Sequence, residues 1–111
     1  MGKEKQDRDN SEAIRELQMI DQNMQSLAMQ RQAFQMELNE SENALNEVNK
    51  SSEEVFRIIG QIMVKSDKKV VVDELERKIK LIKLRLKSIE SQEKDFSDKI
   101  EDLRKKLKGV F

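Results

Sequence analysis

The chain has 111 residues, with 22 basic and 22 acidic side chains, four aromatics, three glycines and no proline, cysteine or histidine. That length allows one domain at most, and a 40% charged composition suits long helices or a coiled coil better than a globule with a sizeable core. Without cysteine or histidine there are no disulfides, thiolate nucleophiles or imidazole bases, and the usual zinc ligands are missing.

Residues 1–10, MGKEKQDRDN, are polar and patternless, and the expectation is a flexible lead-in to a helix over 11–52. Asp9 with Glu12, or Asn10 or Ser11, offers its N-cap. An apolar seam then runs through Leu17, Ile20, Met24, Leu27, Arg31, Phe34, Leu38, Ser41, Leu45 and Val48 in alternating steps of three and four. With Leu17 as position a this is a heptad repeat interrupted only at Arg31 and Ser41, so the helix is built to pack in a coiled coil. The glutamines at 18, 22, 25, 30, 32 and 35 fall mainly off the seam and read as a solvated face. Ile14, Met19, Met29 and Met36 also lie off it, as helix filler, partial core shielding or a soft binding surface.

Asn49, Ser51 and Ser52 are poor helix formers and end the first arm. The stretch Val55–Lys65, VFRIIGQIMVK, is the one segment that reads as β-structure: Val55, Ile58, Ile59, Ile62 and Val64 are β-branched and Phe56 is aromatic. Gly60-Gln61 suits a two-residue II′ turn. The register that follows pairs Ile59 with Ile62, Ile58 with Met63, Arg57 with Val64 and Phe56 with Lys65. One face then carries Val55, Ile59, Ile62 and Val64, the other Phe56, Ile58 and Met63. A helix continuing through 55–65 is the competing reading, because short apolar runs do not separate the two. An isolated ribbon is marginal in water. Full burial of its seven apolar side chains is worth at most about 10–20 kcal/mol, and nothing else in the chain covers them. The ribbon is therefore expected to be an assembly joint formed by Val55, Phe56, Ile58, Ile59, Gly60, Ile62, Met63 and Val64.

Ser66-Asp67 offers an N-cap for a second helix over 68–108, whose seam is Val72, Leu75, Ile79, Ile82, Leu86, Ile89, Glu93, Phe96, Ile100, Leu103, Leu107 and Val110. Residues 1–65 hold 8 basic and 12 acidic side chains, and residues 66–111 hold 14 and 10. Similar arms of opposite bias, joined by a turn, imply an antiparallel pair within a single domain. The fold class expected is mainly α: a long two-helix coiled-coil hairpin with one short β-hairpin at the joining end. In such a coil an a position faces a d position, so Leu45 lies opposite Leu75 or opposite Ile82. Either register puts Arg31 and Glu93 in adjacent layers, where they meet as a register-setting ion pair or extend separately to water.

At the far end, Ile14, Leu17, Ile20, Leu103, Leu107, Val110 and Phe111 come together. They form an exposed apolar tip if the coil splays, or the closing layers of the coil if it does not. Arg104, Lys105, Lys106 and Lys108 make that end basic. The carboxylates sit at helix-surface spacings beside lysines and arginines, which is a solvated charged face, and no glycine-rich phosphate loop is present. The chain is read as a non-enzyme without cofactor or metal. Balanced charge opposes a nucleic-acid partner, and no long apolar run or signal segment points to a membrane, so a cytoplasmic protein is expected.

A helix, one hairpin of the form VFRIIGQIMVK, and a helix opening KKVVVDELERKI and continuing LKSIESQEKDFSDKIEDL together resemble the β-type subunit of prefoldin, the archaeal form in particular. The room between the arms fits one hairpin, where α-type subunits carry two. The resemblance implies a hexamer of two α-type and four β-type subunits, with hairpins forming a double β-barrel platform. It further implies coiled-coil tips that hold unfolded proteins without ATP and pass them to a group II chaperonin. A structural coiled-coil tether is the alternative, and it has little use for a ribbon apolar on both faces.

Overall fold

A computed structural model describes residues 2–52 and 54–107. The order is helix, β-hairpin, helix: α1 (Gly2–Lys50), β1 (Glu54–Ile59), β2 (Ile62–Asp67) and α2 (Lys68–Lys106). This is the expected mainly-α class. The hairpin, and not a continuous helix, occupies the middle of the chain.

The helix boundaries differ from expectation most at the start of α1, and α1 ends at Lys50, two residues before the expected position. α1 begins at Gly2, so residues read as a lead-in are helical, and Asp9, Asn10 and Ser11 lie inside the helix instead of capping it. Residues 3–10 contain no proline, glycine or β-branched side chain, and Glu4 precedes Arg8 by four, the favourable order for a helical ion pair. The seam also starts earlier than Leu17. Ala13 is buried and Asn10 half-buried, continuing the alternation of three and four toward the N-terminus. At the other end α1 stops where the serines stand. Ser51 donates its N–H to the Glu47 and Val48 carbonyls, and its hydroxyl donates to Val48 O at 2.7 Å.

α2 starts at an N-cap. Asp67 Oδ1 accepts from the Lys69 N–H at 3.3 Å, satisfying one of the four donors a helix start leaves open. The neighbouring residue serves the end of the other helix, because Lys68 Nζ donates to the carbonyls of Asn49 at 3.3 Å and Ser51 at 3.1 Å. One Asp-Lys pair thus caps the start of α2 and the end of α1, where a cation is also favoured by the helix dipole.

The described residues divide into two units, the first pairing α1 through Arg31 with α2 from Ser88 onward, the second spanning Gln32–Lys87. In the first, Ala13, Ile20, Leu103 and Leu107 form the buried cluster, with Leu17, Met24, Phe96 and Ile100 packed against it. Glu16 meets Lys99 at 2.9 Å. These two precede Leu17 and Ile100, so their contact selects the register in which Leu17 faces Leu103; a shift of one heptad would have given Glu16 to Lys106. The second unit makes the same choice independently. There Glu37 meets Lys78 at 3.5 Å, where a shifted heptad would have offered Arg85, and Glu42 lies 3.9 Å from Lys83. Arg85 rests instead over the Phe34 ring, 5.8 Å from its centroid. Of the two expected registers, it is the one that opposes Leu45 to Leu75.

Every other described seam position is buried or half-buried, and Arg31 alone is exposed. Ser41 is buried within the seam, and among the described residues no fully buried side-chain nitrogen or oxygen is left without a hydrogen-bond partner. Among the described residues, no helix is long and apolar enough to cross a membrane.

Candidate assembly and client-binding surfaces

The hairpin is antiparallel in the expected register: Ile59 pairs with Ile62, Ile58 with Met63, Arg57 with Val64, Phe56 with Lys65, and the ladder continues to Val55–Ser66 and Glu54–Asp67. Gly60 has φ of 61°, while no described non-glycine residue has a positive φ. A I′ turn would need positive φ at Gln61 as well, so the turn is of the II′ kind that matches strand twist. Glycine supplies this angle without strain.

Alternation along the ladder puts Val55, Arg57, Ile59, Ile62, Val64 and Ser66 on one face, and Glu54, Phe56, Ile58, Met63, Lys65 and Asp67 on the other. The base of the first face is covered. Val55 is 8% exposed, and Arg57 forms an ion pair with Glu74 of α2. Toward the turn the cover ends. Phe56, Ile58, Ile59, Ile62, Met63 and Val64 are between 41% and 71% exposed, and they occupy both faces. Among the described residues the sheet has only these two strands, so each strand keeps one unpaired edge. The ribbon thus carries exposed apolar side chains on both faces and unpaired backbone donors and acceptors along its edges. Lys65 and Glu54 pair at 3.0 Å at the base of the second face and leave its apolar part clear.

The distal residues are placed differently. Ile20, Leu103 and Leu107 are buried and Leu17 is half-buried, so four of the seven expected tip residues close the layers of the first unit. Ile14 lies off the seam and is exposed at 38%. Val110 and Phe111 fall outside the described residues. A groove beside this cluster is lined by Asp9, Asn10, Glu12, Ala13, Glu16, Leu103 and Lys106, mostly polar side chains around Ala13 and Leu103. Arg104, Lys105 and Lys106 are exposed in the last turn of α2; Lys108 lies outside the described residues. Met19, Met29 and Met36 are exposed on α1.

Arg31 and Glu93 meet. Arg31 Nη1 lies 3.2 Å from Glu93 Oε2 and 3.4 Å from Oε1. Reading from the sequence missed the seam position Ala13, the cap Lys68 and the Arg57–Glu74 ion pair. Ala13 is one step of four before Leu17, but alanine is too common on helix surfaces to mark a seam. Lys68 and the Arg57–Glu74 pair were hidden because each joins residues far apart in sequence.

The family model described as Prefoldin subunit matches residues 5–111. The chain is 34% identical over 101 residues to prefoldin subunit beta of Thermoplasma acidophilum, covering 88% of this chain and 82% of that protein. It is 35% identical over 100 residues to prefoldin subunit beta of Methanococcoides burtonii, covering 88% and 86%. The crystal structure of the prefoldin beta subunit from Thermococcus strain KS-1 superposes with a TM-score of 0.83 at 29% identity, over 91% of this chain and 90% of that one.

Proposed function

The chain belongs to the prefoldin family, as a β-type subunit, and on that premise we propose that it is an ATP-independent holdase subunit, joined to its partners through the hairpin and gripping clients with its coiled-coil tip. Membership makes its general role that of a chaperone subunit; the assembly, the clients and the hand-off are our reading.

The observation that carries this reading is the hairpin. Six apolar side chains stay exposed on two faces of a two-stranded ribbon with open edges. Burying each is worth about 1.5–3 kcal/mol at most, and edge pairing adds backbone hydrogen bonds. Strands of other subunits supply both, which is what a barrel platform of two α-type and four β-type subunits provides. A coiled-coil tether would gain nothing from this surface.

The distal end is the client site in this reading. Ile14 offers apolar surface directly, the layers that hold Ala13, Leu17, Ile20, Leu103 and Leu107 become available as the last turns part, and Val110 and Phe111 are assigned to the same site. A helix end opens at low cost because it has packing on one side only. Each tip binds exposed hydrophobic segments weakly, and several tips on one platform hold a chain that a single tip releases. Exposed Arg104, Lys105 and Lys106, together with Lys108, dock an acidic surface of a group II chaperonin. The setting is the cytoplasm, with no nucleic acid or membrane partner.

Light scattering of the purified chain, alone and mixed with a cognate α-type subunit, tests the platform. A hexamer with two partner chains and four of this one is expected, and Ile58→Ser with Met63→Ser prevents it. Helical monomers or dimers indifferent to the partner overturn the reading. With the hexamer in hand, suppression of aggregation of a denatured protein without ATP tests the holdase role. Exchange of Arg104, Lys105, Lys106 and Lys108 for glutamate tests chaperonin docking, and unchanged affinity removes it.

A further inference from the structure

Residues 77–87, RKIKLIKLRLK, carry six basic side chains and no acidic one in a chain of zero net charge. The helix divides them. Lys78 and Lys83 turn toward α1 and pair with Glu37 and Glu42, and Arg85 lies over Phe34. Arg77, Lys80 and Lys87 remain on the outer face. Between them stand Leu81 and Leu84, 55% and 58% exposed and three residues apart, hence neighbours on one side of the helix. Among the described residues Lys80 and Lys87 have no acidic partner within salt-bridge distance, and Arg77 Nε donates only to the Asp73 carbonyl at 3.3 Å. Asp73 and Glu76 lie beside Arg77 and Lys80 and offset part of their charge, and Lys87 is the cation of this face beyond Leu84.

A lone exposed leucine needs no explanation. Two adjacent ones ringed by three cations off the seam form an amphipathic binding face whose charge defines its complement. We propose that the outer face of α2 between Arg77 and Lys87 docks an acidic segment of a partner protein that places apolar residues on Leu81 and Leu84. Lipid is the poorer occupant, because the other apolar residues of this stretch, Ile79, Ile82 and Leu86, are committed to the seam and two leucines are a small anchor. Nucleic acid is poorer still, because residues 77–87 contain no aromatic side chain for bases to stack on.

The test is fluorescence anisotropy of the full-length chain with a labelled synthetic helix-forming peptide rich in glutamate and carrying leucines at i and i+3. Saturable binding is expected, weakened roughly tenfold by Lys80→Glu with Lys87→Glu and several-fold by Leu81→Ser with Leu84→Ser, and weakened by added salt. Unchanged circular dichroism of these off-seam variants rules out unfolding as the cause. Binding indifferent to both pairs of substitutions overturns the proposal, as does tighter binding to phosphatidylserine vesicles or to a single-stranded oligonucleotide. Loss of peptide binding when an α-type subunit is added assigns the face to subunit contact and overturns it as well. The proposal stands independently of the holdase reading, since neither tip nor hairpin enters the assay.

Discussion

Arg31 and Glu93, the only charged residues of the two seams, join the helices, with Nη1 and Oε2 3.2 Å apart and side-chain exposures of 52% and 18%. In the observed register Arg31 stands opposite Ile89 and Glu93 opposite Leu27, so the pair is diagonal and its two charges fill neighbouring layers. An ion pair with one well-solvated partner contributes little to stability, about 1 kcal/mol or less. Arg31→Ala is therefore expected to shift the urea midpoint only slightly. Arg31→Leu with Glu93→Leu should raise stability by about 1 kcal/mol, because apolar packing replaces a pair that is partly desolvated. A loss of more than about 2 kcal/mol in the double variant, followed by circular dichroism in urea, would show that the pair is worth more than its exposure implies.

The Asp67–Lys68 junction caps two helix ends at once. Asp67→Ala should cost about 1 kcal/mol through the lost N-cap, and Lys68→Met about 0.3–1 kcal/mol through the C-terminal carbonyls of α1. Native-state hydrogen exchange separates them: Asp67→Ala speeds exchange in the first turn of α2, and Lys68→Met in the last turn of α1. Equal effects at both ends in both variants would contradict separate caps.

Gly60 has open space where a Cβ would stand, yet its φ is 61°. Gly60→Ala should thus cost about 1–2 kcal/mol from backbone strain alone, without a clash. Amide exchange between Phe56 and Lys65 is expected to rise by roughly tenfold while helix amides keep their rates. Gly60→Asn should cost less, since asparagine follows glycine among the residues found in I′ and II′ turns. A Gly60→Ala hairpin as protected as the parent would mean that the turn relaxes to another type.

Burial separates Ile14 from Leu103. Leu103 is 3% exposed within the distal cluster, so Leu103→Ala should cost about 2–4 kcal/mol, seen as early melting of the first unit. Ile14→Ser, at an exposed position, should change stability by no more than about 0.5 kcal/mol while reducing suppression of aggregation in the assembled chaperone. Full activity with Ile14→Ser and with Val110→Ser would move the client site away from this end.

Much of the architecture was readable because its signals are periodic and local. Alternating steps of three and four placed both seams, and only Asn10 and Ala13 were missed, because a polar run and a small side chain hide a heptad. The hairpin register followed from one glycine, since a two-residue turn leaves no freedom in which residues face each other. The helical start at Gly2 was not legible: charged residues without a hydrophobic pattern give no local sign of whether packing further along the helix extends into them.

The sequence by itself therefore determined the elements, their order, the faces of the ribbon and the two admissible coil registers, all of which depend on spacing along one chain. Only the tertiary structure decided between those registers, because a shift of one heptad preserves the apolar pattern and changes only which charges meet: Glu16 found Lys99, and Glu37 found Lys78. It also decided that Val55 is covered while Ile58 is not, and that Leu103 is inside while Ile14 is outside. Burial is a property of what lies across the gap, and no spacing along a single strand or helix contains it.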